Sequence, residues 1–360
     1  MKIKVAIIDH LGAHGSSHHF YLFGQAKGLI ANGIKVGLYT NIHTSNPEIK
    51  DLEFHQFYKG IFSKKSRILA AIRYFIGSIR SHFHARINSC NIFHYHLFGF
   101  SILVLFNMIL AKLLFAKIVL TIHDVRSFSH NNASSFYTRL IYFFSDSILT
   151  HNRFSKHEIL KFHEPLKSKI SIIPHGNYLP FIKTQHNQES SRRRLGISLD
   201  SKVLLFFGMI KKVKGLDLLL RAMPRIIEEN SAVILLIAGK PWKDDFSKYQ
   251  EIINDLHIKS NCLLHIKFIS YNDVEYYYSA SDIVVLPYKK IYQSGVLMMS
   301  MSYGKPVVLS DLDSFKEIIE DKKSAFLFNS GDVKSLADII NNTLDSPKLL
   351  KNIALNGLEL

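Results

Sequence analysis

The strongest constraint on this chain is an alternation that runs along almost its whole length: short apolar runs rich in β-branched residues take turns with longer stretches of helical period. In the first half the β-type runs are Val5–Ile8, Lys35–Tyr39, Ile92–Tyr95, Ile118–Ile122, Ser147–Thr150 and Ile170–Ile173, with helical periodicity in Phe20–Ala31 and Leu103–Phe115. Strands that are apolar throughout are buried on both faces, and helices between them imply parallel sheets covered on both sides. Residues 179–198 interrupt the pattern with Gln185-His186-Asn187-Gln188 and the run Arg192-Arg193-Arg194, the composition of an interdomain connection. The alternation then restarts with strand Val203–Phe207, helix Leu216–Ile227, strand Val233–Ile237, helix Phe246–Leu256 and strand Leu263–Phe268. It continues through helix Val274–Ala280, strand Ile283–Leu286, a helix near Gly295–Tyr303, strand Pro306–Leu309 and helix Val333–Leu344. The reading is an α/β protein with two Rossmann-like, doubly wound parallel-sheet domains facing a central cleft, where a ligand is expected. The expected boundaries are 1–178 for the first domain, 179–198 for a linker, 199–345 for the second domain and 346–360 for a C-terminal helix or tail.

A length of 360 residues and 47% apolar content suit two ordinary domains with cores of their own. Cys90 and Cys262 stand far apart with no partner motif, which excludes a disulfide scaffold or a cysteine zinc cluster and fits a reducing compartment. The opening, MKIKVAIIDH, reads as a first strand rather than a signal peptide. The most apolar stretch, Phe98 to Ile122, contains Lys112, Lys117 and Asn107 and so falls short of the ~20 apolar residues of a membrane span. A buried helix followed by a strand is expected there. The net charge of +16 favours anionic partners. Its basic residues are dispersed and form no legible nucleic-acid module, so nucleic acid is not an expected partner.

Three segments carry candidate chemistry. After the first strand comes Asp9-His10-Leu11-Gly12-Ala13-His14-Gly15-Ser16-Ser17, where glycines and a following helix N-terminus suit an anion such as a phosphate, with Gly15 and Ser16 as candidates. A plain tight turn with a serine cap explains the same residues, and the spacing is not that of the dinucleotide fingerprint. After Val203–Phe207 comes Gly208-Met209-Ile210-Lys211-Lys212-Val213-Lys214-Gly215, whose lysines would neutralise a diphosphate and stabilise it as a leaving group. The third is Gln293-Ser294-Gly295-Val296, at which a helix begins. Its backbone N–H groups and the helix dipole would hold an anion.

Taken in order, "FFGMIKKVKGLDLLLRA", "LLIAGKP", "YYSASDIVVLPY", "QSGVLMMSMSYGKPVVLSD" and "AFLFNSGDVKSLADII" make residues 203–345 resemble the donor domain of GT-B glycosyltransferases, in particular the retaining family 4. The first half is similar more loosely, through the Gly12/Gly15 loop, "FHYH" at 93–96, "VLTIHD" at 119–124, "SDSILTHNRFSKHEI" at 146–159 and "IPHGN" at 173–177. The resemblance implies a nucleotide-sugar donor bound by the second domain and an acceptor at the first. It places Lys214, with Lys211, Gly15, Ser16, Ser294, Gly295 and Val296, at the donor phosphate. His96, with His123 at the same rim, falls near the reacting centre, where it would hydrogen-bond the sugar or receive the acceptor's proton. His10, His14 and His175 are weaker candidates. Two glutamates common in the family fall at Ile291 and Met299, so this chain is similar to a subgroup that keeps a Gln-Ser-Gly-Val turn without the pair. Arginine is common after the first glycine of the basic loop, and here that residue is Met209.

The implied activity is transfer of a sugar, with retention, to a hydroxyl of a glycan or lipid-linked acceptor in cell-surface polysaccharide or glycolipid synthesis. No cofactor or metal is expected beyond the nucleotide sugar. Asp311-Leu312-Asp313 reads as a helix cap rather than a metal motif. A catalytically silent relative that binds a nucleotide sugar or a partner is the alternative, motivated by Ile291 and Met299. The expected location is cytoplasmic, peripheral at the inner face of the plasma membrane. The motive is Arg67–Arg86, where Ile68, Leu69, Ile72, Phe75, Ile76 and Ile79 recur at helical spacing among Arg67, Arg73, Arg80 and Arg86. Such a helix lies on an anionic bilayer or packs its apolar side on its own core, and both readings stay open.

Overall fold

The computed structural model describes residues 3–14, 18–63, 65–125, 136–182, 186–242 and 245–360. The chain divides into two compact units, Met1–Gly176 and Asn177–Leu360. In the first, strands β1 (Lys4–Ile8), β2 (Lys35–Asn41), β3 (Leu52–Tyr58), β4 (Ile92–Leu97), β5 (Lys117–Ile122), β6 (Ser147–Thr150) and β7 (Ile170–Ile172) alternate with helices α1 (His18–Ala31), α2 (Arg67–Ile87), α3 (Ile102–Leu113), α4 (Phe136–Phe144) and α5 (Arg153–Leu160). The second opens with α6 (Gln188–Leu195), followed by β8 (Lys202–Phe207), α7 (Leu216–Glu229), β9 (Val233–Ala238), α8 (Ser247–Asp255), β10 (Cys262–His265) and α9 (Tyr271–Ala280). It closes with β11 (Ile283–Leu286), α10 (Gly295–Ser302), β12 (Val307–Ser310), α11 (Asp313–Lys316), β13 (Phe326–Phe328), α12 (Val333–Leu344) and α13 (Pro347–Glu359).

All pairings are parallel, in the orders β3-β2-β1-β4-β5-β6-β7 and β10-β9-β8-β11-β12-β13. Chain direction across each sheet reverses once, between β1 and β4 and between β8 and β11. At such a point the two outgoing connections diverge to opposite faces and leave a crevice at the carboxyl ends of the strands. That rule places the sites of both units before any side chain is considered. β11 and β12 are buried along their whole length, which explains why they read as unbroken apolar runs.

Three local readings differ from the structure, and the expected C-terminal helix or tail is a helix. Strand β3 is absent from the sequence reading because it lies at the sheet edge, half-buried, where Glu53, His55 and Gln56 dilute the apolar signal. The stretch read as a connection includes helix α6, capped by Asn187 and ended by Gly196 at φ +71°. Its basic run is not simply solvated. Arg192 is buried and donates to Ala280 O (3.1 Å), Leu199 O (2.7 Å) and Asp282 Oδ2 (2.7 Å). The expected buried helix, α3, covers Leu105, Met108 and Ala111 but turns Ile102, Ile109 and Leu113 outward. Residues 346–360 hold α13, whose Leu350, Ile353 and Ala354 are buried in the second unit. Among the described residues no helix is long and apolar enough to cross a membrane.

Removing one partner of a buried ion pair leaves an uncompensated charge. Arg192→Ala is therefore expected to destabilise the second unit by about 3 kcal/mol, read as a lowered denaturant midpoint.

Candidate functional site

In the second unit the site is built by glycines that let backbone segments touch. Gly208 ends β8 at φ +97°, and its N–H donates to Ala238 O at 2.9 Å. The next residues fold into a single 3₁₀ turn, Lys212–Lys214, that closes on Gly215 at φ +66°. A Cβ on Gly215 would lie 1.8 Å from Pro287 O, so only glycine lets the basic loop rest against the end of β11. That contact aims Lys214. Its ammonium stands 5.0 Å from the Tyr288 ring centroid and 3.6 Å from where a Cβ on Gly208 would be. Val296 Cγ2 is 3.2 Å from the same point. Lys214, Gly208 and the start of α10 therefore surround one small space. Ser294 starts α10, and its Oγ accepts the Leu297 N–H at 3.2 Å. The first N–H groups of a helix lack intrahelical acceptors, and those of Gly295 and Val296 head this turn. Tyr178 Oη lies 3.0 Å from where a Cβ on Gly295 would be. Lys211 sits over Trp242, 5.8 Å from the ring centroid. One ammonium group, that of Lys214, with two amides and a side-chain-free backbone, suits a phosphate of a diphosphate.

In the first unit the crevice is lined by imidazoles. Asp9, just past β1, accepts the Gly12 N–H at 2.7 Å and the His18 Nε2–H at 3.0 Å. Burial alone would raise its carboxyl pKa, but the neighbouring His18 and His10 and the Gly12 N–H together hold it below the usual value. Strand periodicity puts His94 and His96 on one face of β4, their rings stacked 4.9 Å apart. Gln25 of α1 lies against both, its Oε1 accepting from His96 Nε2 at 2.9 Å and its amide nitrogen 3.3 Å from His94 Nδ1. His96 Nδ1 faces His123 Nε2 at 3.1 Å, and His123 lies 5.1 Å from His151, ring to ring. Tyr21 touches His96, His123, His151 and His175 through edge contacts of 5.0–5.3 Å. Burial, reinforced by mutual repulsion among these rings, drives His96 and His123 well below the ordinary histidine range. Burial also takes His94 to about 4 and, with help from His151, His175 to about 3. At neutral pH these four are uncharged.

The structure thus brings together Lys214 with Val296, and His96 with His123. Both nitrogens of His96 are engaged within the unit. Gly15 and Ser16 lie outside the described residues. Met299 is buried in α10, and Ile291 O accepts the Ser314 hydroxyl at 2.9 Å, so apolar packing and a backbone contact occupy the places of the two glutamates. Asp311 and Asp313 do not cap α11, which Leu312 precedes. Asp311 instead accepts the Ser330 N–H at 2.8 Å, and Asp313 opens the first turn. His10 packs on Tyr74 and His14 stacks on Phe62, while His175 joins the imidazole cluster. Sequence reasoning missed Asp9, His18, Gln25, His151 and Tyr178. Position could have found two of them, since Asp9 and His151 each directly follow a strand at the sheet's carboxyl edge.

Because Gly215 has both a left-handed φ and a backbone carbonyl where a side chain would go, Gly215→Ala is expected to cost roughly 2–5 kcal/mol of stability, measured by thermal or denaturant unfolding.

Known proteins match this architecture. The family profile described as "Glycosyl transferases group 1" covers residues 187–359, and "Glycosyltransferase Family 4" covers residues 20–177. Spore coat protein SA of Bacillus subtilis is 28% identical over 173 residues, covering 45% of this chain and 44% of that protein. N-acetyl-alpha-D-glucosaminyl L-malate synthase of Bacillus anthracis is 25% identical over 198 residues, covering 55% and 49%. The chain thus spans about half the length of these relatives. Among solved structures, Anabaena Alr3699/HepE in complex with UDP-glucose superposes with a TM-score of 0.74 at 17% identity, covering 99% of this chain and 94% of that one. WaaG, a glycosyltransferase involved in lipopolysaccharide biosynthesis, gives 0.67 at 16%, covering 99% and 94%. With its two parallel-sheet units matched in order by both profiles, this chain belongs to the group 1, family 4 type of glycosyltransferases and carries their GT-B fold.

Proposed function

We propose that this protein transfers a sugar from a nucleoside-diphosphate sugar to a hydroxyl of a glycan or lipid-linked acceptor, with retention, in the synthesis of cell-surface polysaccharide or glycolipid. The observation that carries the reading is the gathering of Lys214, Gly208 and Val296 around a space suited to a diphosphate. The UDP-glucose bound by the Anabaena neighbour supports a uridine donor. Departure of the nucleoside diphosphate builds negative charge on its terminal phosphate. Lys214, assisted by Lys211 and the Ser294–Val296 amides, meets that charge as it forms, so no metal is required to bridge the phosphates. The His96–His123 pair, held neutral by burial, is assigned the acceptor side, where a neutral imidazole accepts the proton that the attacking hydroxyl loses. The apolar Met299 and Ile291 favour a second reading, a silent relative that binds a nucleotide sugar without turning it over. A panel of UDP-, GDP- and ADP-sugars separates the two by release of free nucleoside diphosphate. Lys214→Ala is expected to lower transfer at least 100-fold with its melting temperature unchanged, and wild-type turnover in that variant would end the phosphate assignment.

We further propose that the protein works bound to the surface of an anionic bilayer. Helix α2 supports this because it is packed with its apolar side outward. It buries Tyr74, Gly77, Ser78, Ser81, His82 and Ala85, while Ile68 (75% exposed), Leu69, Ile72, Phe75, Ile76, Ile79, Phe83 and Ile87 (80%) face solvent. Arg67, Arg73, Arg80 and Arg86 are exposed on the same helix. Exposed apolar residues continue on α3, which packs on α2 through Phe106 against Phe75 (4.8 Å), and on α4 with Phe136 and Phe143. A surface of this extent on a lone soluble unit is unfavourable, and arginines that frame it suit lipid phosphates at about 1 kcal/mol each. The protein is expected to float with anionic vesicles at low salt and not with phosphatidylcholine vesicles. Ile72→Asp combined with Phe83→Asp should abolish flotation without lowering the melting temperature. Flotation unchanged in the double variant, or self-association in place of vesicle binding, would refute the membrane reading.

A further inference from the structure

The imidazole cluster of the first unit has a property that sugar transfer does not call for. One ring nitrogen from each of His18, His96 and His123 lies within 4.8 Å of the others, and all three residues are buried. We propose that these three histidines form a binding site for a first-row transition metal ion, zinc being the best fit.

Three observations carry this. The first is spacing. Two nitrogens on one zinc at about 2.0–2.1 Å in tetrahedral geometry stand about 3.3 Å apart, and His96 Nδ1 and His123 Nε2 stand 3.1 Å apart. His18 offers a third ring nitrogen within 4.8 Å of both. The second is the outer partners. A metal-bound imidazole almost always donates its other N–H to a carboxylate or carbonyl oxygen, which fixes the tautomer and directs a lone pair at the ion. Asp9 Oδ2 receives the His18 Nε2–H at 3.0 Å and Gln25 Oε1 the His96 Nε2–H at 2.9 Å. Asp9 is itself fixed by the Gly12 N–H. The third is ligand chemistry. A set of imidazoles with no carboxylate in the inner positions favours zinc, copper, nickel or cobalt over magnesium or calcium. Phe98 stacks on His123 at 4.5 Å and meets His18 edge-on at 4.8 Å, an apolar wall beside the cluster.

Metal binding and proton acceptance use the same lone pairs, so they are alternatives at this cluster. The metal claim stands on the geometry of the first unit alone and does not depend on the protein being a transferase.

The test uses untagged, full-length protein stripped with chelator and titrated with Co²⁺, followed by displacement with Zn²⁺. One Co²⁺ per chain with the visible absorption of a four- or five-coordinate site is expected. His18→Gln and His123→Gln should each weaken binding at least tenfold, Asp9→Asn should weaken it tenfold to a hundredfold, and His14→Gln should leave it unchanged. Absence of one-to-one binding, or binding that survives His18→Gln and His123→Gln, overturns the proposal. Should either variant fail to fold, X-ray absorption on the zinc-loaded wild type decides: three or more imidazole ligands support the site and fewer overturn it.

Discussion

The site of the second unit depends on a backbone contact that leaves no room for a side chain. Gly215 rests against the carbonyl of Pro287, so the loop leaving β8 and the loop leaving β11 meet without a Cβ between them. These two strands flank the reversal in the sheet, where the outgoing connections would otherwise part. The glycine draws the basic loop toward the other connection, and Lys214 comes to rest between Tyr288 and the first turn of α10 as a consequence. Charge placed in this way is already organised and would cost no rearrangement on meeting an anion. Tyr178 adds a wall on the far side of Gly295 and ties down through its own N–H to Ser302 Oγ at 3.0 Å.

The first unit uses the same edge of its sheet for different chemistry. Six ionisable side chains, Asp9, His18, His96, His123, His151 and His175, share one crevice, and burial there disfavours positive charge on His96, His123, His151 and His175. Asp9 is the exception that makes the cluster tolerable, a carboxylate stabilised by His18, His10 and a backbone N–H. A fixed ring orientation is what both a proton acceptor and a metal site need, and Gln25 and Asp9 impose it on His96 and His18. Helix α2 shows the converse arrangement. It places hydroxyls and an imidazole inward, where His82 Nδ1 donates to Ser78 O and its Nε2 meets Tyr95 Oη, each at 2.7 Å, and it sends its isoleucines out. An inward polar face is stable because those groups satisfy one another, which leaves the apolar face turned outward.

Much of the architecture was legible in the sequence because both sheets are parallel and covered on both faces. β8, β9, β11 and β12 appear as unbroken apolar runs, and the glycine-lysine loop after β8 announces a strand's carboxyl end. Order and type of element therefore followed from composition and period alone. Edge strand β3 and docked helix α6 were hidden for the same reason: each is half-exposed, and the interaction that holds Arg192 inside comes from Asp282, which lies 90 residues away.

What the sequence by itself determined was the alternation, the basic loop and the Ser-Gly turn, since those depend on neighbours along the chain. Only the tertiary structure decided that Lys214 meets Val296, that His18 joins His96 and His123, and that the isoleucines of α2 point outward. Each of these is set by which strands lie side by side and which helix face finds hydrogen-bond partners. Those are properties of residues far apart in sequence, and local period does not encode them.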